Sequence, residues 1–341
     1  MKCRFLPASL ALALMVGVMP AARSAVPVEI KLATILPVGT SGHQSLMEMR
    51  AAWQKAAGPA VKLTIYAGMA EGEALLVKKM RARQINAALL TAVGLSEIDR
   101  SVSSLQLMPM VFRDWREVDY VREKIRGELE SRLRAKGFEV LFWGDAGWVR
   151  YFSKEPGATP DDYKKMKLFV LSGGSREMES FRELGFQPVS LEMEQILPGL
   201  TTGMVTTVPV PPFLANALQI NRVARYMLDL NWAPVVGAAI VRRDVWEKIS
   251  PELRAELQTI ATAAAEKIRK QSRAEDDDAI VAMKKNGLVV QAETPAIRAA
   301  WQALAEQAYP MIRGRIVPAE IFDQVQRVLV DYRATHPGGA P

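Results

Sequence analysis

Three observations in the sequence predict an α/β fold in two units. Short apolar strand patterns alternate with amphipathic helical stretches, which implies mainly parallel sheets covered on both faces. The alternation restarts near Gly147, and a chain of 341 residues is long enough for two domains. A strand pattern at 235–241 and helical periodicity over 251–283 then carry the chain back towards the first unit and past both. Several crossings of that kind describe a clamshell, not beads on a string.

The elements follow in order. Residues 28–33 alternate as a strand, and the turn-rich loop 36–42 leads to helical spacing at 45–57 through Leu46, Met49, Trp53 and Ala57. A second strand at 61–67 places Leu63 and Ile65 on one side. A helix at 71–83, a buried strand at 87–91 and a long amphipathic helix at 119–136, ended by Gly137, complete most of the first unit with a strand at 138–143. The second unit reads as a strand at 168–171, a helix from Ser175 towards Leu184, a further helix ending at Gly203, and a strand at 205–210. Helical patterns at 295–309 and 318–333 close the chain, with 336–341 as a flexible tail.

Composition narrows the function. Lys2 and Arg4 precede an uncharged apolar run at 6–19, and Ala22-Arg23-Ser24 offers the small residues of a cleavage site, so 1–25 is expected to be a signal peptide cut after Ser24 or Ala25. The location this implies is the periplasm. Cys3, the only cysteine, would leave with it, which removes thiol, disulfide and cysteine–metal chemistry. The net charge is +7, of which Lys2, Arg4 and Arg23 carry three. The remaining bases are interspersed with acids, and no basic stripe with aromatics suggests nucleic-acid binding.

Catalytic patterns are sparse, and neither a cofactor nor an enzymatic activity is expected. There are two histidines, His43 and His336, the latter in the tail; His43 sits where a helix would start and reads as a capping or surface residue. No Gly-x-Ser-x-Gly elbow occurs. Glu275-Asp276-Asp277-Asp278 lies inside a helical pattern, where consecutive side chains fan out, so a solvated face is expected in place of a metal site. Ser172-Gly173-Gly174-Ser175 precedes a helix but lacks a P-loop lysine.

Five fragments occur in an order that resembles one family. They are Ile65-Tyr66-Ala67-Gly68, Leu107-Met108-Pro109-Met110-Val111-Phe112, Gly147-Trp148-Val149-Arg150, the run Thr159-Pro160-Asp161-Asp162 through Lys167-Leu168, and Leu200-Thr201-Thr202-Gly203-Met204-Val205. They are similar to fragments of the DctP-type solute-binding proteins of TRAP transporters. The resemblance covers almost all of the chain after the signal. It implies a periplasmic binding-protein clamshell: two α/β domains, a ligand cleft between them and a long domain-spanning helix. Partners implied are a small-molecule ligand, membrane permease subunits and, as in some members, a helical-repeat lipoprotein.

The family's carboxylate-clamping arginine falls on Phe169 in this sequence. Thr206, Thr207 and Val208 stand where it has an acidic, polar segment, followed by Pro209, Val210, Pro211 and Phe213. A planar bidentate cation suits a carboxylate, and phenylalanine supplies none. The expected pocket is therefore largely apolar, for a fatty acid, lipid, sterol-like or aromatic ligand, lined by Phe169, Trp148, Met69, Met108, Met110, Thr206, Pro209, Pro211 and Phe213. One alternative is that Phe169 faces a domain core and Arg150 holds a monocarboxylate with a hydrophobic tail; the others are a periplasmic enzyme or a ligand-free interaction protein on the same scaffold. The expected division is 26–146 with 234–273 as one domain and 147–233 with 274–335 as the other.

Overall fold

The computed structural model describes residues 27–69, 72–172 and 175–336. The expected signal segment lies outside them, as do Gly173, Gly174 and the last five residues. The described strands are β1 (Val28–Thr34), β2 (Val61–Tyr66), β3 (Ala87–Thr91), β4 (Phe138–Trp148), β5 (Arg150–Ser153), β6 (Lys167–Leu171), β7 (Gln187–Leu191), β8 (Thr207–Val210), β9 (Tyr226–Asp229), β10 (Pro234–Arg242) and β11 (Val289–Ala292). They form two sheets, ordered β2-β1-β3-β10-β4 and β11-β9-β5-β8-β6-β7.

Both sheets are mixed. β1, β2 and β3 run parallel, but β10 enters antiparallel between β3 and β4. In the second sheet β6 pairs parallel with β7 and β8, whereas β5 is antiparallel to β8 and β9. Strand β10 follows the second unit in sequence yet belongs to the first sheet. Gly237 sits at its tightest point, where a Cβ would collide with the Leu90 carbonyl oxygen.

Local signals fix the helix starts. The Thr40 hydroxyl accepts from the His43 N–H at 3.3 Å, so the first helix begins at Ser41, four residues before the apolar spacing does. Asp114 accepts from the Arg116 and Glu117 N–H groups and starts the helix Trp115–Ala135 ahead of the expected residue 119. Gly203, at φ 74°, ends the helix Ile196–Thr202.

The helix Pro251–Lys285 spans both units. Leu257, Ala261, Ala265, Ile268, Ser272, Asp276, Ala279 and Met283 form its buried stripe, spaced three and four residues apart. It packs on β4 and the helix Ser41–Ala57 in the first unit and on Pro212–Ala217 in the second. The helix Pro295–Ile312 lies against the second unit's helices at Pro160–Lys164 and Ser175–Glu183. The last helix, Ala319–Thr335, instead packs on Trp115–Ala135 of the first unit, with the Tyr332 and Tyr120 ring centroids 4.6 Å apart.

Candidate functional site

Both units line one cavity of about 270 Å³. The first contributes Thr34, Thr91, Phe142 and Asp145 from its strands. The second contributes Phe169 and Leu171 from β6, Pro209 and Val210 from β8, and Glu177 and Phe181 from the helix Ser175–Glu183. Trp232 and Val235 wall it where the chain crosses between units, and Ile268, Ser272 and Glu275 face it from the long helix. Most of this wall is aliphatic or aromatic.

The candidate residues divide into two groups. Phe169, Pro209, Pro211 and Phe213 line the cavity. Phe169 is 4% exposed and also packs in a buried cluster with Leu191, Ile196 and Val210, so it serves both the domain core and the cavity wall. Six others lie elsewhere. The Trp148 ring lies against Trp115 at 5.0 Å between centroids. Met108 and Met110 are buried in the largest apolar cluster, and Met69 packs against it. The Thr206 hydroxyl accepts from the Lys167 N–H at 2.9 Å. Arg150 Nε donates to Asp229 Oδ1 at 2.9 Å and its guanidinium also contacts Asn231 Oδ1. His43, the third residue of the first helix, accepts at Nδ1 from the Gly39 N–H at 3.2 Å, while Thr40 is the cap.

Asp276 corrects the expectation of a solvated acidic face. Asp277 and Asp278 are exposed, but Asp276 is buried at 8% exposure. Trp148 N–H donates to its Oδ2 at 3.0 Å and Phe213 N–H to its Oδ1 at 3.1 Å. The carboxylate thus ties the long helix to the crossing at 147–148 and to the cavity wall. Gly147, at φ 87°, makes the approach possible, since a Cβ there would strike the carboxylate. Burial pushes this carboxyl up to about 6, against the two backbone donors and Arg150.

Most polar side chains in the wall already have protein partners. Glu73 accepts from the Thr91 N–H at 2.7 Å and the Gly94 N–H at 3.0 Å, while burial raises its pKa. Arg273 donates to Asp145 at 2.6 Å. Gln106 accepts from the Val236 N–H at 3.1 Å, and the Ser272 hydroxyl donates to the Asp145 carbonyl at 2.8 Å. No Lys, Arg or His is among the described lining residues, whereas Glu73, Asp145, Glu177 and Glu275 are. Sequence patterning missed that Glu73 and Glu177 line the cavity and that Asp276 is buried, because acids in helical stretches look like solvated surface.

Two α/β units with a shared cavity and a helix running past both define a clamshell binding protein. Residues 32–314 match the bacterial extracellular solute-binding protein family 7, DctP, and the chain belongs to that family. It is a TRAP-type periplasmic solute-binding protein, and the family's members are binding proteins, not enzymes, that work with membrane permease subunits. The C4-dicarboxylate-binding periplasmic protein DctP of Rhodobacter capsulatus is 25% identical over 244 residues, covering 70% of this chain and 73% of that protein. A TRAP solute-binding protein of Ralstonia eutropha H16, solved with (S)-2-acetolactate, superposes with TM-score 0.80 at 18% identity over 89% of this chain and 99% of its own. One from Shewanella oneidensis, solved with succinate, gives TM-score 0.81 at 13% identity with the same coverage, 89% and 99%.

Proposed function

We propose that this chain is the periplasmic binding subunit of a TRAP-type transport system whose ligand is largely apolar: a lipid, a sterol-like or aromatic compound, or a fatty acid. One observation carries the reading. The described wall of the cavity holds no cation, while Phe169, Pro209, Pro211 and Phe213 present carbon to it. Apolar surface removed from water stabilises a complex by roughly 25 cal/mol per Å². A small dicarboxylate in the same place would leave its charge without a counter-ion, at a cost of several kcal/mol on the order expected for buried ions. The relatives solved with succinate and acetolactate share the fold at 13% and 18% identity, so their ligands do not transfer with it.

The rival reading makes Arg150 the clamp for a tailed monocarboxylate. Its guanidinium is held by Asp229 and Asn231 and lies outside the cavity lining, so a ligand would first have to break those contacts. Native mass spectrometry of protein recovered from its own cells tests the apolar reading, and the effect of Arg150→Ala on fatty-acid binding tests the rival. A co-purified lipid or sterol-like mass supports the apolar reading, and a C4 dicarboxylate overturns it. Export with cleavage after Ser24 or Ala25 belongs to the same proposal, and N-terminal sequencing of the periplasmic protein reads it directly.

A further inference from the structure

Glu177 stands out among the charged residues around the cavity. It lies in the first turn of the helix Ser175–Glu183 and lines the cavity beside Phe181 and Ser180. Of the other three acids, Glu73 accepts from Thr91 and Gly94, and Asp145 is paired with Arg273. Glu275, on the long helix, is the other lining acid that no described side chain engages. Neighbouring polar groups are turned away from Glu177: the Ser180 hydroxyl donates to the Arg176 carbonyl at 3.0 Å. The Tyr151 hydroxyl is buried without a hydrogen-bond partner and is near enough for the Glu177 charge to raise its pKa, but it makes no hydrogen bond to Glu177. Among the described residues, then, no hydrogen bond or ion pair engages the Glu177 carboxyl.

The Glu177 side chain is half-buried, and a ligand filling the cavity would strip its carboxyl of water, which is costly unless the ligand itself completes it. We propose that the ligand completes it: Glu177 is the specificity-determining residue of the cavity, and it selects an apolar body carrying one hydrogen-bond donor, a hydroxyl or a protonated amine, over one carrying a carboxylate. The charges decide between these classes. A ligand carboxylate would meet four lining acids, of which only Asp145 is paired with a cation, whereas a donor would meet Glu177 beside the apolar Phe181, one of the two lining carboxyls, with Glu275, that lack a partner. Burial pushes the Glu177 carboxyl up to about 7, so both its neutral and its ionised form are accessible near neutrality. An alcohol donates to either form; an amine requires the ionised one.

This inference rests on the apolar reading of the cavity and narrows it. The test uses three compounds with one tail, 1-dodecanol, dodecylamine and dodecanoic acid, titrated calorimetrically into the whole protein, with N-phenyl-1-naphthylamine as a separate apolar probe. The expected result is that the alcohol, the amine or both bind on the order of tenfold or more tightly than the acid, the size of one buried hydrogen bond. Whichever donor binds more tightly identifies the source. Glu177→Leu should erase that preference while the apolar probe still binds, and Glu177→Gln should keep the alcohol and lose the amine. Equal or tighter binding of dodecanoic acid overturns the role of Glu177, as does an unchanged ranking in Glu177→Leu. Failure of the probe and of all three compounds to bind overturns the apolar cavity itself, and this inference with it.

Discussion

Arg273 reaches from the long helix to Asp145 on β4, with Nη2 2.6 Å from the carboxylate Oδ2. The same guanidinium grips Asp119 through two bonds of 2.7 and 2.8 Å and lies 4.3 Å from the centre of the Trp115 ring. The Asp145 side chain is fully buried, and its other cation, Arg122, stands 3.5 Å away. Removing Arg273 takes away the close hydrogen-bonded partner and leaves the buried Asp145 only the longer contact to Arg122. Arg273→Ala should therefore cost about 3–5 kcal/mol in urea unfolding, with part of the loss recovered when Asp145→Asn is added. A loss below about 1 kcal/mol, within the range of surface pairs, would sink this account.

The Asp276 carboxyl gives stability a specific pH dependence. Its folded value of about 6 lies above its ordinary 3.8, so the folded state binds the proton more tightly than the unfolded chain does. The contribution is fully present below pH 3.8 and is lost as pH rises through about 6. Relative to Asp276→Asn, the unmodified protein should lose up to about 3 kcal/mol across that window. Chemical denaturation of both proteins at several pH values reads the difference. A difference that stays flat, or grows with pH, contradicts it.

Phe169 offers a direct test of the wall. Phe169→Ala should lower folding stability by about 3–5 kcal/mol, because the ring is also core. On protein confirmed as folded, binding of an apolar ligand should weaken by about 1–3 kcal/mol. Phe169→Arg should abolish apolar binding by placing an unpaired cation in the cavity. Tight succinate binding by the unmodified protein, indifferent to both changes, would remove the basis for an apolar ligand.

Closure can be read by small-angle scattering. The units are linked at 148–150, at 230–234 and through the long helix, so ligand binding should bring them together as a hinge. The radius of gyration should fall on adding a ligand whose binding is established independently. An unchanged radius would argue for a rigid cavity.

Much of the fold was legible. β3 and the start of the long helix at Pro251 fall where periodicity, the proline and its Ser250 cap place them. The strands Arg150–Ser153, Gln187–Leu191, Tyr226–Asp229 and Val289–Ala292 were not legible, because polar or charged residues interrupt the apolar run by which the equally short β3 and β6 were read. The long reach of β4 to Trp148 was hidden by Gly144 and Gly147, which read as a break. Within the site, Phe169 was picked out by the position of the family's arginine, and Pro209, Pro211 and Phe213 because they follow its polar segment; all four line the cavity. Met69, Met108 and Met110 show the limit of that inference, since a methionine near a cleft and one filling a core look alike in sequence. The domain division at 274–335 is likewise coarse, because the last helix sides with the first unit.

The position of β10 sets an order of assembly. Its residues 237–241 fill the gap between β3 and β4, whose own strands are complete by residue 148. Until that later segment arrives, the first sheet is two separate pieces, each with an unpaired inner edge open to any other strand. The nascent first half of the chain therefore cannot lock into its native sheet by itself, and contacts so distant in sequence slow the final closure. A polypeptide that must be threaded through a membrane pore before it folds would gain time from this arrangement. A truncated product ending before residue 234 would keep both edges exposed and be prone to self-association.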